Sequence, residues 1–408
     1  MTVNHNEDPD SQEREQFIRD IIRRKYGRDV TAIARLTGGI NCFAYGVTIS
    51  AVDASSNSKP SSTVDQPGTT ALPDSATDLV IRLSSPESGL NETVRVQNEV
   101  AMMILAREAL SPFGRPVVPK VYGWAPGDTG RGWTLCERLP GVPLSEKLDS
   151  LTKEAKSEVL SQIAQIFKLI QQYRLPSSIE GYGGLGFDQN GNIVAGPTSI
   201  PGGGPYLSKK CGIVQGWSGT DIPDHIERVR ERLAKTAEWE KTLRPTLVHV
   251  DFDTHNMLFD PETGHITGLI DYDFGHVGCL ADEYFYSICT LGHLVGPVPK
   301  YENNENHRLL ASSVLNGFDR DALAGRPNKP VNWELALMVD DELAKAGVQR
   351  PQDIPAMEEL SLRYWFINHL SPPYYHTKGC REAPQKEKEA MRKKTLEVLE
   401  HILKIWGI

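Results

Sequence analysis

The sequence predicts an α+β protein of two unequal lobes, a small antiparallel β-sheet lobe with one helix and a larger, mainly helical lobe behind it. Three observations predict this. Residues 1–139 alternate short β-branched runs with turns, and one long amphipathic stretch interrupts them after position 91. Beyond Pro140-Gly141 apolar residues recur every three to four positions, the period of helices. A chain of 408 residues can bury more than one core, and it contains no internal repeat.

Residues 12–27 place Phe17, Ile18, Ile21, Ile22 and Tyr26 at helical spacing, with Gly27 as a C-terminal stop. Three β-like runs follow: TAIARL, then NCFAYGVTIS after a Thr-Gly-Gly turn, and DLVIRLS at 78–84. The intervening residues 51–78 are rich in Ser, Thr, Pro and Asp and lack aromatics, so a disordered surface insertion is expected there. NETVRVQNEVAMMILAREAL reads as a helix capped by Asn91, with Val96, Val100, Met103 and Ile104 on one face. KVYGWAP and GWTLCERLPG supply two more strands. In the second lobe Val159, Ile163, Ile166, Phe167 and Ile170 stripe one helix, and a second is expected at 224–239. TLVHV and HITGLI read as two short strands linked through a loop and a DPETG turn, with helix-rich sequence beyond them.

Composition narrows the function. Apolar residues make up 39% and charged residues 24%, as in soluble enzymes, and the net charge of -9 argues against a nucleic-acid binder. A cationic small molecule suits that charge better, although net charge says little about a single pocket. The polar, acidic start MTVNHNEDPDSQEREQ has no apolar signal core, and no run is long enough to cross a membrane. Cys42, Cys136, Cys211, Cys279, Cys289 and Cys380 are scattered with no C-x-x-C pair, as expected of free thiols in a reducing, cytoplasmic setting.

The chemistry concentrates in LVHVDFDTHNMLFDPETGHITGLIDYDFG, residues 247–275. His249-x-Asp251 is followed by Asn256 at the D-x-x-x-x-N spacing of a kinase catalytic loop, where the acid accepts the acceptor's proton and the amide holds a metal ion. Phosphoryl transfer needs positioning and charge neutralisation, so a second carboxylate must hold Mg²⁺ against the triphosphate. The apolar run Gly268-Leu269-Ile270 ends at Asp271, where such a carboxylate belongs.

LVHVDFDTHNMLFD followed by GLIDYDFGHVG resembles the motif pair of the aminoglycoside phosphotransferase and choline kinase superfamily, which has a bilobal protein-kinase-like fold. LTGGINCFAYGV is similar to its nucleotide loop, DLVIRL to its third strand, NEVAMMILA to the helix with the paired Glu, and LCERLPG to its inter-lobe linker. GGLGFDQNGNIVAGP and WELALMVDDELAKAGVQRP resemble segments of fungal members. The resemblance covers roughly residues 33–290. It implies a nucleotide-binding lobe at 1–139 and a lobe at 140–408 with the catalytic loop, metal site and acceptor-binding helices. By the same resemblance Asp251 is the catalytic base, and Asn256 and Asp271 are metal ligands. Gly38, Gly39, Arg82, Glu99, Glu137 and Leu139 would meet the nucleotide, the linker residues through backbone groups. ATP and Mg²⁺ are the implied cofactors, and a small molecule with a hydroxyl is the implied acceptor.

Several departures carry expectations of their own. No lysine lies between Lys59 and Lys120, so Arg82 must serve as the strand cation, with Glu99 as its partner; Glu92 is assigned to the helix dipole. The family's glycine between His and Asp is Val250, expected to matter little if its side chain packs inward. Glu283 stands where a structural Asp is expected, and its reach to the catalytic loop is open. Asp273 spells a literal D-F-G and competes with Asp271 for the metal. Asp253 is read as solvated or loop-capping, Asp260 as a turn residue and His249 as a packed histidine. His249, Asp251, Asp253 and His255 together also permit a Zn²⁺ or Mn²⁺ hydrolase. Asp340, Asp341 and Glu342 could face a cationic acceptor, though a solvated helix face explains them as well. Arg82 and the altered segment Gly278–Tyr284 motivate a rival reading, a catalytically silent binding module of the same fold.

Overall fold

A computed structural model describes residues 10–36, 41–51, 66–199, 226–296, 305–370 and 382–408. Strands β1 (Val30–Arg35), β2 (Cys42–Ile49), β3 (Asp78–Ser84), β4 (Val121–Ala125) and β5 (Trp133–Glu137) form one antiparallel sheet in the order β1-β2-β3-β5-β4. Alternate side chains serve the two faces of that sheet. Tyr45, Ile81 and Leu135 meet Ile18, Ile21 and Ile22 of helix α1 (Ser11–Tyr26), which Gly27 terminates at φ 63°. On the other face Val96, Val100 and Met103 of helix α2 (Glu92–Ala109) pack with Trp124 and Cys136. Asn91 caps α2, accepting the Val94 N–H at 3.3 Å. The sheet therefore fixes where Arg82, on β3, meets Glu99, on α2.

The expected disorder of 51–78 is corrected in its second half. Residues 52–65 lie outside the described residues, but 66–77 pack on the sheet, 66–70 along the edge strand β4 and Thr77 beside β2, where its carbonyl takes the Ile49 N–H at 2.8 Å. Thr70 N–H donates to the Val121 carbonyl (2.9 Å), Trp124 Nε1 to the Pro67 carbonyl (2.9 Å) and Lys25 Nζ to Gln66 Oε1 (3.0 Å). A polar composition was misleading because backbone pairing with an open edge needs no apolar side chains.

The second lobe holds β6 (Val142–Pro143), α3 (Lys153–Gln172), β7 (Gly184–Phe187), β8 (Ile193–Gly196), α4 (Ile226–Thr242), β9 (Pro245–Val248), β10 (Met257–Asp260), β11 (His265–Leu269) and β12 (His276–Cys279). Helices α5 (Glu305–Asn316), α6 (Arg320–Leu323), α7 (Trp333–Ala346), α8 (Met357–Leu370) and α9 (Gln385–Trp406) follow. TLVHV and HITGLI are not partners. MLFD is a strand, β10, and pairs with β11, while β9 pairs with β12. The Asp260–Gly264 turn closes the β10–β11 hairpin, so residues 249–256 are free to loop out between two small sheets. Phe167 of α3 supports that loop, its ring 5.1 Å from Phe252 and 5.4 Å from Tyr284. One apolar cluster runs from α2 through α3 to α8 and α9 and spans both lobes, while the α1 face of the first sheet has a cluster of its own. No described helix is long and apolar enough to cross a membrane.

The packing of 66–77 is testable at Gly68. It adopts φ +76°, and a Cβ there would stand 2.3 Å from Ile104 Cδ1 on α2. Gly68→Ala should destabilise the fold by about 2 kcal/mol, through overpacking and left-handed strain. A urea midpoint equal to the parent's would show the segment to be loose.

Candidate active site

The loop between β9 and β10 is held by the chain leaving β11 and by the segment that follows β12. His249 is 2% exposed, and its Nε2 donates to the Ile270 carbonyl at 3.1 Å while Nδ1 accepts the Asp251 N–H at 3.3 Å. Burial pushes its imidazole down to about 4, so the ring is neutral and serves as a tie between the loop and the end of β11. Its placement agrees with a packed histidine. With both ring nitrogens used, and Asp253 turned away, the His–Asp set forms no hydrolase centre. Among the described residues no group of three or more His, Cys, Asp or Glu side chains is arranged to hold a metal.

Asp251 keeps 43% of its side chain exposed. Its Oδ2 accepts from Asn256 Nδ2 at 2.8 Å and lies 3.1 Å from His255 Nε2. Asn256 Nδ2 also donates to the Asp251 carbonyl at 2.9 Å, which commits the amide nitrogen and leaves Oδ1 as the acceptor. The Asn256 carbonyl takes the Ile270 N–H at 3.0 Å, so the asparagine sits against the chain entering Asp271. Asp253 is 3% exposed and is a loop cap: it accepts the Thr254 N–H (2.6 Å), the Thr290 N–H (3.0 Å) and the Thr290 hydroxyl. Asp260 accepts the Glu262 N–H and the Thr263 hydroxyl within its turn, and these bonds hold its carboxyl below the ordinary range.

Arg82 crosses the boundary between lobes. Its Nη1 donates to Glu99, and its Nη2 to both Asp271 Oδ1 and Asp273 Oδ2 at 2.9 Å each. A second guanidinium, not anticipated from sequence, completes the cluster. Arg95, fully buried, donates to Asp273 Oδ1 (2.9 Å), Glu99 Oε2 (3.3 Å), Glu92 Oε2 (2.7 Å) and Ser84 Oγ (3.2 Å). Glu92 is thus an ion-pair partner as well as a first-turn acid. The signal lay in the spacing, because Glu92, Arg95 and Glu99 at i, i+3 and i+7 share one face of α2. Asn98 was missed too; its Nδ2 donates to the Gly275 carbonyl (2.7 Å) and its Oδ1 accepts the Leu185 N–H (2.7 Å).

The cluster separates the two competing aspartates. Asp273 is 2% exposed; burial raises its carboxyl, but Arg82 and Arg95 outweigh that and hold it below the ordinary value. Asp271 retains 35% side-chain exposure, and burial pushes its carboxyl up against the pull of Arg82. Its φ of 67° turns the chain so that Asp271 faces outward and Asp273 inward. An amide oxygen and a half-open carboxylate are hard oxygen donors of the kind that bind Mg²⁺ together with water and phosphate. The pairing of Glu92, Glu99, Asp271 and Asp273 with only two arginines leaves negative charge that a divalent cation would balance.

Glu283 reaches the loop despite its length. Its Oε2 accepts the His249 N–H (2.6 Å) and its Oε1 the Val250 N–H (3.0 Å), while Ser287 donates to Oε1. Burial pushes this carboxyl up to about 7. Val250 itself has φ 75°, a left-handed conformation costly for a β-branched residue. The expectation that Val250 matters little is therefore corrected: the backbone, not the side-chain direction, is what favours glycine there.

The remaining assignments divide. Gly38 and Gly39 lie outside the described residues. Glu137 donates its N–H to the Lys120 carbonyl (2.8 Å) and accepts the Lys120 N–H at its side chain (3.2 Å), both within the sheet. Leu139 leans over Gly268 of β11 beside Leu258. Asp340 pairs with Arg350 (3.2 Å), Asp341 with Arg320, and Glu342 with Lys345 (2.7 Å), so these acids are engaged with neighbouring cations. Cys42 and Cys136 are buried thiols.

A family model for phosphotransferase enzymes, APH, matches residues 69–288, more than half of the sequence and the whole span from the strand cation to Glu283. The chain belongs to this family. It is thus a phosphotransferase of the small-molecule type, with the bilobal α+β fold its motifs imply. No curated protein sequence matches it. Solved structures aligned to this APH-family chain include aminoglycoside phosphotransferase APH(4)-Ia, at 15% identity over 97% of this chain and 99% of that one, TM-score 0.47. A putative aminoglycoside phosphotransferase from Ralstonia eutropha gives 12%, 96%, 98% and 0.44 for the same measures, and APH(2")-IIIa with GDP and kanamycin gives 14%, 95%, 98% and 0.41.

Two substitutions check the geometry. Arg95→Met strips a buried counter-ion from Asp273 and should cost about 3 kcal/mol of stability, part of which Asp273→Asn recovers when added. Chemical denaturation of the single and double variants measures this, and additive losses would contradict the coupling. Val250→Gly should instead raise stability by about 1 kcal/mol, because relief of left-handed strain exceeds the entropy cost of glycine; an unchanged or lower urea midpoint would contradict it.

Proposed function

We propose that this chain is an ATP- and Mg²⁺-dependent kinase that transfers the γ-phosphate to a hydroxyl of a small molecule. The observation that carries the reading is the half-exposed Asp251 carboxylate, oriented by Asn256 and placed on the same loop-and-hairpin unit as Asp271. Asp251 would accept the proton of the attacking hydroxyl while Asn256 holds the carboxylate in line. Asn256 Oδ1 and Asp271 are the groups that would hold Mg²⁺. The ion, when bound, neutralises the triphosphate and orients it for in-line attack. Arg82 would exchange its Asp271 contact for the nucleotide's phosphates, clamped in place by Glu99 and Asp273. His249, neutral and tied to Ile270, sets the relative position of base and metal ligand without exchanging protons. The silent-module reading drew on Arg82 in place of a lysine and on the altered segment Gly278–Tyr284, but Arg82 pairs with Glu99 and Glu283 accepts the His249 and Val250 N–H groups.

Asp251→Ala should reduce transfer at least about 10³-fold, on the scale of a lost general base, while AMP-PNP binding with Mg²⁺ stays within about twofold. Asp271→Ala should weaken Mg²⁺-nucleotide binding itself. Calorimetric titration and ADP-release assays read the two effects. Turnover at the parent rate in the Asp251 variant, or no binding of any Mg²⁺-nucleotide by the parent protein, would overturn the assignment.

A further inference from the structure

The second lobe contains a cavity of about 890 Å³ enclosed by the turn after Phe285 and by α5, α7, α8 and α9. That volume lies within the range of small-molecule sites. Its wall is continuous with the catalytic loop. Thr290, which lines it, donates its N–H and hydroxyl to Asp253, two residues from Asp251, and its hydroxyl lies 2.9 Å from that of Thr254. Ile288 N–H donates to the Phe252 carbonyl at 2.9 Å, which ties the same wall to the loop from the inside.

The chemistry of the wall differs from what the acidic net charge suggests. Leu294, Leu310, Leu335, Trp365 and Tyr286 are among its apolar lining, and Asn368 Nδ2 holds the exposed Tyr286 hydroxyl at 2.6 Å, with the Tyr286 and Trp365 rings 5.7 Å apart. Among the described residues that line it there is no aspartate or glutamate, and Lys394 is the one permanently charged side chain. His369, also on the wall, sits below its usual range because of burial and the nearby Lys394. Asp340, Asp341 and Glu342, the acids that could have served a cation, are paired farther along α7 and are not among the lining residues. A polyamine entering this space would shed water and meet no carboxylate among the described lining residues. An aromatic or apolar body would bury its surface against Leu, Trp and Tyr, and an anionic substituent could approach Lys394.

We infer that the acceptor bound here is a neutral or anionic hydroxyl compound with an apolar, ring-sized body, and not a polycation. The inference rests on the kinase reading, whose own test is nucleotide binding. Three ligands of one shape isolate the charge: 2-phenylethanol (neutral), mandelate (anionic) and 2-phenylglycinol (cationic), with kanamycin as the polycation. Saturation-transfer NMR on the full chain with AMP-PNP and Mg²⁺ should rank mandelate and 2-phenylethanol at least about fivefold above 2-phenylglycinol, on the scale of a partly screened charge. Leu335→Trp, which fills the cavity, should abolish binding of all three while AMP-PNP still binds. Lys394→Glu, a surface charge change that leaves the packing intact, should invert the order of mandelate and 2-phenylglycinol. Binding of 2-phenylglycinol or kanamycin as tight as that of 2-phenylethanol, indifference to both substitutions, or no binding by any of the three would overturn the inference. Each of these results leaves the nucleotide titration, and so the kinase reading, standing on its own.

Discussion

The arrangement depends on one buried ion cluster. Arg82 on β3 and Arg95 on α2 share Glu99 and Asp273, while Asp271 pairs with Arg82 alone and Glu92 with Arg95 alone. Isolated, any of these charges would be costly to bury; together they satisfy one another, and the cost of removing one exceeds what a solvent-exposed pair contributes. Through them the sheet, the helix and the chain entering Asp271 acquire a fixed relation. Thr134, on β5, adds a hydrogen bond to Glu99 at 3.2 Å, so even the strand before the linker reports to the cluster. The lobes are coupled through this cluster.

A second constraint fixes the catalytic loop. Glu283 binds two consecutive N–H groups and His249 bonds the Ile270 carbonyl, so the loop is held at both ends while Val250 stays in a strained conformation. Strain persists only where the surroundings over-determine it. The longer acid and the β-branched residue therefore belong to one account: Glu283 reaches further than an aspartate would, and in doing so it pins the backbone that Val250 would otherwise leave.

The strands and helices of the first lobe were legible because period and turn residues agreed, as at Gly27, Asn91 and β1 to β5. Asp251, Asn256 and Asp271 were legible as a spacing, though their assigned roles remain proposals. What escaped was three-dimensional. Arg95 and Asn98 are ordinary helix residues until the fold brings residues 271–275 against α2. MLFD was read as loop because four residues carry no periodicity of their own, and tertiary pairing with β11 makes them a strand. Asp271 and Asp273 could not be separated by pattern, because spacing is blind to which side chain an arginine encloses. Val250 was misjudged since a sequence does not display φ.

Net charge belongs to the whole surface and not to one pocket. The excess of acids suggested a cationic acceptor, yet a pocket responds to the side chains on its wall, and a carboxylate paired with arginine contributes little field beyond its partner. Asp340 is spent on Arg350, Asp341 on Arg320 and the acids around Arg82 on their own cluster. The cavity behind the catalytic loop is left with Tyr286, Trp365 and Lys394 to set its preference. On the proposed reading, the preference of that cavity follows from these side chains and not from the net charge of the chain.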